Sequence, residues 1–242
     1  MNIGVIPARL DSKRLPKKIL ADLNGKPLVV HTIERVLQAK KLDRVIIAID
    51  SQETKKKLEE YDYEIFMTSK NHVSGTDRVA EVIKRIPEAK TIINIQADEP
   101  LIDSNIIDDL VDAFKDEKID FATVVSNKLT VSDLLNPNVV KAFIDAEKNA
   151  IDFKRNIFDL EIGGVYRHVG IYGFRRETLF TYTKLDPSLR EKKSKLEQLR
   201  AIDNNIPIHT IITNYNSYGI DTQDDLDKVS EIVDKLNNKP ID

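Results

Sequence analysis

The feature that most constrains the fold is a regular alternation, in the first half of the chain, of short β-branched runs with longer amphipathic segments. The apolar runs are bounded by polar or proline residues, as buried strands are. They cover residues 3–6, 45–49, 64–67 and 91–95. This alternation predicts an α/β fold with a mostly parallel, Rossmann-like sheet and helices on both faces.

Helices are expected between these strands. Pro27 suits a first helical turn, and apolar residues recur after it at helical spacing. The same reasoning predicts helices over residues 76–86, 103–114, 177–182, 195–204 and 223–236.

The middle of the chain changes character. Residues 139–144 and 150–153 flank a polar stretch and predict an antiparallel hairpin, and residues 167–174 and 210–212 predict two more strands. We expect one domain over residues 1–242, in which about residues 130–215 form a smaller mixed α/β lobe.

Composition excludes several function classes. The 242 residues carry 37 basic and 40 acidic side chains, so the net charge of −3 gives no general attraction to nucleic acid. The chain has no cysteine, which rules out disulfides, Cys-ligated zinc and thiol catalysis. No apolar run is long enough to cross a membrane, and residues 1–7 lack an export signal. We expect a cytoplasmic enzyme with neither a nucleic-acid partner nor membrane insertion.

A basic loop follows the first strand, and this end of a parallel strand is where open α/β sheets bind ligands. Residues 9–18 contain five cations in ten residues, together with Pro16. On charge alone such a run indicates a solvated loop, but its position favours an anion site. Because no P-loop or dinucleotide fingerprint is present, side chains as well as backbone amides would hold phosphates.

Two carboxylates could face this loop. Asp98 follows the strand at 91–95, where it could hold Mg²⁺ that bridges phosphate oxygens. Asp221 precedes the last helix and, taken alone, is interpreted as an N-cap. Two carboxylates opposite a basic loop match the electrostatic needs of metal-assisted nucleotidyl transfer.

Other chemistries find no support in the sequence. The four histidines show no spacing typical of a zinc site, so catalytic zinc is not expected. No G-x-S-x-G motif is present, which argues against a nucleophilic serine.

Ordered motifs along nearly the whole chain resemble those of the cytidylyltransferases that activate 3-deoxy-manno-octulosonate (Kdo), the CMP-Kdo synthetases. The matching segments are residues 6–9, 12–18, 24–27, 67–68, 74–78, 96–100, 136–141, 167–175, 196–200 and 219–222. The resemblance implies transfer of CMP from CTP to the anomeric hydroxyl of Kdo, with release of pyrophosphate, for lipopolysaccharide biosynthesis.

The resemblance also implies a role for particular residues. Lys18, Asp98 and Asp221 would be the catalytic residues, and the two aspartates would hold Mg²⁺. The implied nucleotide-binding residues are Ala8, Arg9, Ser12, Arg14, Lys18, Ser74 and Arg78. The implied sugar-binding residues are Gln96, Arg155, His168, Tyr172, Glu197 and Gln198. It further implies a homodimer formed through the smaller lobe.

Departures from the family pattern lie mostly around the implied sugar site. They include residues 152–158, a short segment at 159–166 without a basic cluster, and Ser194 in place of a usual glutamate. These differences leave open a modified Kdo (8-amino) or another sialic-acid-like sugar acid as the substrate. A non-catalytic nucleotide-binding regulator is the alternative from another class.

Overall fold

The computed structural model describes residues 1–157 and 164–237. The strands are β1 (Asn2–Ala8), β2 (Asp22–Leu23), β3 (Lys26–Pro27), β4 (Arg44–Ile49), β5 (Ile65–Met67), β6 (Thr91–Asn94), β7 (Phe121–Ser126), β8 (Lys141–Ile144), β9 (Ala150–Lys154), β10 (Val165–Arg175) and β11 (His209–Thr213). The helices are α1 (Leu28–Val36), α2 (Gln52–Leu58), α3 (Gly75–Lys84), α4 (Ser104–Ala113), α5 (Val131–Leu135), α6 (Arg176–Lys184), α7 (Leu189–Ser194), α8 (Leu199–Asp203) and α9 (Gln223–Asn237).

One mixed sheet organises the described residues. Its main order is β11-β7-β10-β6-β1-β4-β5, and the hairpin β8–β9 pairs onto β10. The ladders β1–β4, β1–β6, β4–β5 and β7–β11 are parallel, whereas β10 runs antiparallel to β6, β7 and β8. The α/β class with helices packed on the sheet is therefore confirmed.

Helices cover both faces of the sheet because each presents one apolar stripe to it. Val79, Val82 and Ile83 of α3 pack into the core on one face. Val29, Val30 and Ile33 of α1 pack into the core on the other. A third cluster holds α9 against the segment that precedes α1. Within residues 1–157 and 164–237, no helix is both long and apolar enough to span a membrane.

Most predicted elements are present, with one omission and one correction. The strand β7 (Phe121–Ser126), which lies between β11 and β10, was not predicted, although every one of its residues is buried. The helix expected over 195–204 is present only as α8 (Leu199–Asp203), because Lys195 adopts a left-handed conformation (φ 54°) that ends α7. Residues 158–163, which contain part of the divergent 152–166 region, lie outside the described residues.

Candidate active site

The candidate site is a cleft at the carboxyl ends of β1 and β6, which pair in parallel at the centre of the sheet. Three adjoining cavities of about 460, 750 and 840 Å³ form this cleft. Arg14, Gln96 and Lys195 line all three, so the cavities are parts of one space.

A cation lies between two carboxylates in this cleft. Lys18 Nζ is 2.5 Å from Asp98 Oδ2 and 2.9 Å from Asp221 Oδ1. Arg14 Nη2 contacts the second oxygen of Asp221 at 2.7 Å. The amide of Ile220 donates to the carbonyl of Asp98 at 3.0 Å, which holds the two carboxyl-bearing segments side by side. We refer to Lys18, Asp98 and Asp221 as the two-carboxylate centre.

Protonation states follow from this arrangement. Burial alone would lower the pKa of Lys18, but the charges of Asp98 and Asp221 outweigh it and raise that pKa above its ordinary value. Burial would raise the pKa of Asp221, but Lys18 and then Arg14 lower it. Lys18 and Asp221 are therefore both charged near neutral pH.

The donor set at this centre fits a divalent cation such as Mg²⁺. Two carboxylates already share one positive group, so their oxygens are close enough to share another. Within the described parts of the chain, no cluster of three or more His, Cys, Asp or Glu side chains could hold a metal by itself. Mg²⁺ is usually bound by one or two carboxylates and completes its octahedron with phosphate oxygens and water.

The structure excludes the alternative interpretation of Asp221, taken alone, as the cap of the last helix. Its carboxylate faces Lys18 and Arg14 instead of helix amides. The capping interaction belongs to the next residue: Thr222 Oγ1 accepts from the amide of Asp225, and Asp225 Oδ2 accepts from the amide of Thr222.

The basic loop is anchored through a buried ion pair. Asp50, at the end of β4, accepts from the amide of Leu10 at 3.0 Å and from Arg78 Nη2 at 2.9 Å. Arg78 Nη1 also donates to Thr68 Oγ1, and only 3% of its side chain is exposed. Arg78 therefore joins the basic loop to α3, whose N-cap is Ser74.

On the far side of the cleft, His168 has a defined tautomer. Burial lowers the pKa of His168 to about 3, so the ring is neutral at pH 7. Thr123 Oγ1 donates its single hydrogen to the carbonyl of Ile171 at 2.8 Å, and it therefore accepts from His168 Nε2 at 3.0 Å. With its hydrogen on Nε2, the ring offers Nδ1 as an acceptor.

Polar side chains continue along this side. Tyr172 Oη donates to Gln198 Oε1 at 3.3 Å, and burial keeps the pKa of Tyr172 well above its usual range. Glu197 Oε1 accepts from Thr76 Oγ1 at 2.5 Å. Burial raises the pKa of Glu197, while the bond from Thr76 and the charge of Arg200 oppose that shift.

Arg155 uses its guanidinium to join segments of backbone. It donates to the carbonyls of Pro137, Ser194 and Lys195 at 3.0–3.2 Å. The buried ammonium of Lys141 also joins segments of backbone. It donates to the carbonyls of Asn136, Val139 and Arg155 at 2.6–2.9 Å. Together they shape the cleft border next to the divergent Ser194.

The structure brings nearly all of the predicted site residues into this one cleft. Every residue expected from the sequence lines at least one of the three cavities, except Ala8, whose side chain is buried in the core. The cleft is also lined by residues for which the sequence predicted no role, among them Glu99, Asn138 and Lys195. Adjacency to Asp98 could have indicated Glu99, and Asn138 lies within the matching segment 136–141. Lys195 lies just outside the matching segment 196–200, and nothing else in the sequence indicates it.

Glu99 adds a second unusual carboxyl group beside the centre. It is 8% exposed, and burial, reinforced by the charge of Asp98, raises its pKa to about 7. Ser217 Oγ donates to its Oε1 at 2.5 Å. A Cβ at Gly219 would approach that oxygen to 3.0 Å, so the glycine leaves room for the buried carboxyl group.

Comparison with known proteins places this geometry in a family. The cytidylyltransferase family model matches residues 3–209. A 3-deoxy-manno-octulosonate cytidylyltransferase from Chloroherpeton thalassium is 41% identical over 241 residues, which cover 96% of this chain and 97% of the relative. One from Geobacter sulfurreducens is 39% identical over 248 residues, which cover 96% and 99%.

Solved structures agree with the sequence relatives. A CMP:2-keto-3-deoxy-manno-octonic acid synthetase in complex with CTP superposes with a TM-score of 0.90 at 33% identity and covers 97% of this chain and 99% of its own. A glucose-1-phosphate thymidylyltransferase from Bacillus anthracis shares the fold alone, with a TM-score of 0.73 at 15% identity over 99% of this chain and 98% of its own. The chain therefore belongs to the cytidylyltransferase family, in the group of the 3-deoxy-manno-octulosonate cytidylyltransferases.

Proposed function

We propose that this protein transfers CMP from CTP to the anomeric hydroxyl of 3-deoxy-D-manno-octulosonate, giving CMP-Kdo and pyrophosphate. The observation that carries the proposal is the two-carboxylate centre at the end of β6, with the basic loop on one side and hydrogen-bonding side chains such as His168 and Tyr172 on the other. A triphosphate needs the first surface, and a polyhydroxylated acid needs the second.

On the nucleotide side, cations of the basic loop would neutralise the triphosphate. Arg9, Ser12, Arg14 and Lys18 line the cavity that contains the centre, and Ser74 and Arg78 line the adjoining one. Because Arg78 is tied to Asp50, it would act by fixing the first turn of α3, and Ser74 would meet the nucleoside there. The backbone of Ala8, at the end of β1, would supply amide or carbonyl contacts.

Asp98 and Asp221 would hold Mg²⁺. The cation would shield the phosphate charges from the incoming sugar carboxylate and so weaken the repulsion between two anions. Lys18 and Arg14, already beside these carboxylates, would bind the oxygens of the α-phosphate and the leaving pyrophosphate.

The sugar acid would lie along β10 and the turn between α7 and α8. His168 Nδ1 is an acceptor for a sugar hydroxyl, and Gln96, Tyr172, Glu197 and Gln198 line the same cavity. Arg155 has its donors on carbonyls, so its part would be to hold this border in shape. The anomeric oxygen would form its bond to the α-phosphorus as the bond to pyrophosphate breaks, and the hydroxyl proton would leave to solvent.

We further propose that the enzyme acts in the cytoplasm as a homodimer, where its product would feed lipopolysaccharide biosynthesis. The activity named for its relatives supports the step in this biosynthesis, and the family resemblance supports the compartment and the assembly. The smaller lobe, about residues 130–215, would provide both the sugar site and the dimer contact.

Pyrophosphate release tests the proposal. The assay supplies CTP and Mg²⁺ with Kdo, 8-amino-Kdo, 2-keto-3-deoxynononate or N-acetylneuraminate, and we expect release with Kdo. Pyrophosphate release only with another acid would support the same transfer reaction with a different sugar substrate. No release with any of the four acids, while CTP still binds, would support the non-catalytic regulator.

Thermal stability separates a cytidine site from a general phosphate site. A ligand that binds only the folded state raises the melting temperature in proportion to its occupancy. We expect stabilisation by CTP and a much smaller effect of ATP at the same concentration. Equal shifts would contradict a specific cytidine site.

A further inference from the structure

A buried polar chain connects the two sides of the cleft. Asn94 Nδ2 donates to Thr76 Oγ1 at 3.1 Å, and Thr76 Oγ1 donates to Glu197 Oε1 at 2.5 Å. A hydroxyl group has one hydrogen, so the direction of both bonds is fixed: Thr76 accepts from Asn94 and donates to Glu197. Glu197 Oε1 is thereby held as an acceptor and points away from solvent.

The three residues come from three separate elements. Thr76 lies in the first turn of α3, between Ser74 and Arg78 on the nucleotide side. Asn94 is the last residue of β6, four positions before Asp98. Glu197 lies between α7 and α8 and lines two of the cavities. These hydrogen bonds therefore link the nucleotide side of the cleft, the strand β6 that leads to Asp98, and the sugar side.

Stability alone does not explain this arrangement. Thr76 and Asn94 have no exposed surface, and burying polar side chains costs free energy unless every polar atom is paired. Among the residues that the structure describes, Asn94 Oδ1 has no hydrogen-bond partner. Valine in place of Thr76 and leucine in place of Asn94 would fill the same space without that cost. The presence of the polar pair is therefore better explained by the hydrogen bond that it provides to Glu197.

Glu197 is held both at its backbone and at its side chain. Tyr182 Oη donates to the Glu197 backbone carbonyl at 2.6 Å, and Thr76 fixes the side-chain oxygen Oε1. Oε1 accepts from Thr76, and the Ser74 hydroxyl also lies within hydrogen-bond reach of this carboxylate. Oε2 is the oxygen that would meet a ligand in the cavity. A glutamate side chain without this hydrogen bond would sample several rotamers. Binding of the sugar would then have to order the side chain, which costs conformational entropy.

We propose that Thr76 and Asn94 are positioning residues that fix the rotamer of Glu197, so that its second oxygen accepts a hydrogen bond from a hydroxyl of the sugar acid. The inference rests on the proposed function, because it names how that same site selects a polyhydroxylated acid. Neither residue touches the ligand, and both act through Glu197.

The test compares Thr76→Val, which removes the hydroxyl and keeps the volume, with Thr76→Ser, which keeps the hydroxyl. For Thr76→Val we expect the KM for Kdo to rise on the order of 10-fold, since Glu197 is no longer held in one rotamer and sugar binding must order it. The KM for CTP should stay within about 2-fold, because this binding does not pass through Glu197. Thr76→Ser should restore a KM for Kdo close to that of the wild type.

Two further variants keep the inference falsifiable. Asn94→Leu removes the other hydrogen bond of this polar network. It should also raise the KM for Kdo while leaving the KM for CTP nearly unchanged, and it provides the test if Thr76→Val fails to fold. The double variant Thr76→Val with Glu197→Gln should be no worse than Glu197→Gln alone, because residues acting through one group are not additive.

The outcomes separate this inference from the proposed function. If the wild type turns over Kdo and Thr76→Val leaves its KM unchanged, or raises both KM values equally, the positioning role is overturned and the function stands. Additive effects in the double variant also overturn it. If the wild type binds CTP but makes no product from Kdo, the proposed function fails first and the inference falls with it.

Discussion

Lys18 stands between Asp98 and Asp221, and this pairing determines what each of the three residues can do. The ammonium neutralises part of the charge of two carboxylates that would otherwise repel each other. In the proposed reaction, a triphosphate with a divalent cation would bring an anion for Lys18 and a cation for the aspartates. Binding would therefore replace the ion pairs within the centre by new pairs of opposite charge.

Removing one charge at this centre should abolish turnover. Asp98→Asn keeps the shape of the side chain but weakens metal binding, so we expect the rate of pyrophosphate release to fall on the order of 100-fold or more at any Mg²⁺ concentration. Asp109→Asn, on the exposed face of α4, is the matched control and should retain activity. A fully active Asp98→Asn enzyme would contradict the metal assignment.

His168 should make stability depend on pH. Its pKa falls from an ordinary 6.5 to about 3 on folding, so between these values the unfolded state binds a proton that the folded state does not. Its contribution is complete above about pH 6.5 and is lost as the pH falls towards 3. Urea unfolding at pH 7, 6 and 5 should show a smaller loss of unfolding free energy in His168→Gln than in the wild type. Identical losses would contradict the burial of a neutral ring.

Sequence alone could identify charged residues but not their partners. Asp98 was predicted from its place after a strand, and the structure puts it in the cleft. Asp221 taken alone was indistinguishable from a helix cap, because the sequence does not show that Ile220 pairs with the backbone of Asp98. Thr76 went unnoticed for the same reason: its partner Glu197 is 121 residues away.

Among the elements, the segments around residues 136–139 and 194–195 owe their shape to two cations. Arg155 and Lys141 together satisfy five backbone carbonyls there, so these segments need no regular secondary structure of their own. Arg14 Nη1 contacts Asn138 Oδ1 at 3.4 Å, which extends this support to the basic loop.

Replacing the planar guanidinium should loosen both segments at once. Arg155→Lys keeps the positive charge but cannot reach three carbonyls in a fork, and hydrogen bonds to charged groups contribute about 1.5–3 kcal/mol each. We expect amide hydrogen exchange over residues 136–139 and 194–196 to accelerate on the order of 10-fold, since local opening becomes easier. Exchange in β1 and β6 is the internal control. Unchanged protection in the two segments would show that Arg155 is not what holds them.

Element prediction succeeded where periodicity was strong and failed where long-range contacts decide. The parallel strands β1, β4 and β6 were predicted because short runs rich in β-branched residues indicate buried strands. β7 was missed because Ala122, Thr123 and Ser126 interrupt its apolar character, although all three are buried between neighbouring strands. The break at Lys195 was missed because a lysine carries no sequence signal for a left-handed turn.

For the whole molecule, the position of β10 has a thermodynamic consequence. This strand of the proposed smaller lobe pairs with β6 and β7 inside the one sheet, so both sides of the cleft share a hydrogen-bonded framework. We expect a single cooperative unfolding transition, with far-UV circular dichroism and tyrosine fluorescence changing together in urea. Two separated transitions would instead indicate two domains and contradict the proposed single domain.

Assembly is the other property of the whole molecule that can be tested at single positions. The proposed homodimer would form through the smaller lobe, where Ile151 on β9 is 56% exposed. Leu37, after α1 and outside that lobe, is exposed to a similar extent at 53%. A buried charge at an interface costs far more free energy than a charge in water, so Ile151→Asp should convert the dimer to monomer while Leu37→Asp should not. Sedimentation velocity at matched concentrations measures both. A wild-type protein that sediments as a monomer would contradict the proposed dimer, and a dimeric Ile151→Asp variant would exclude this hairpin from the interface.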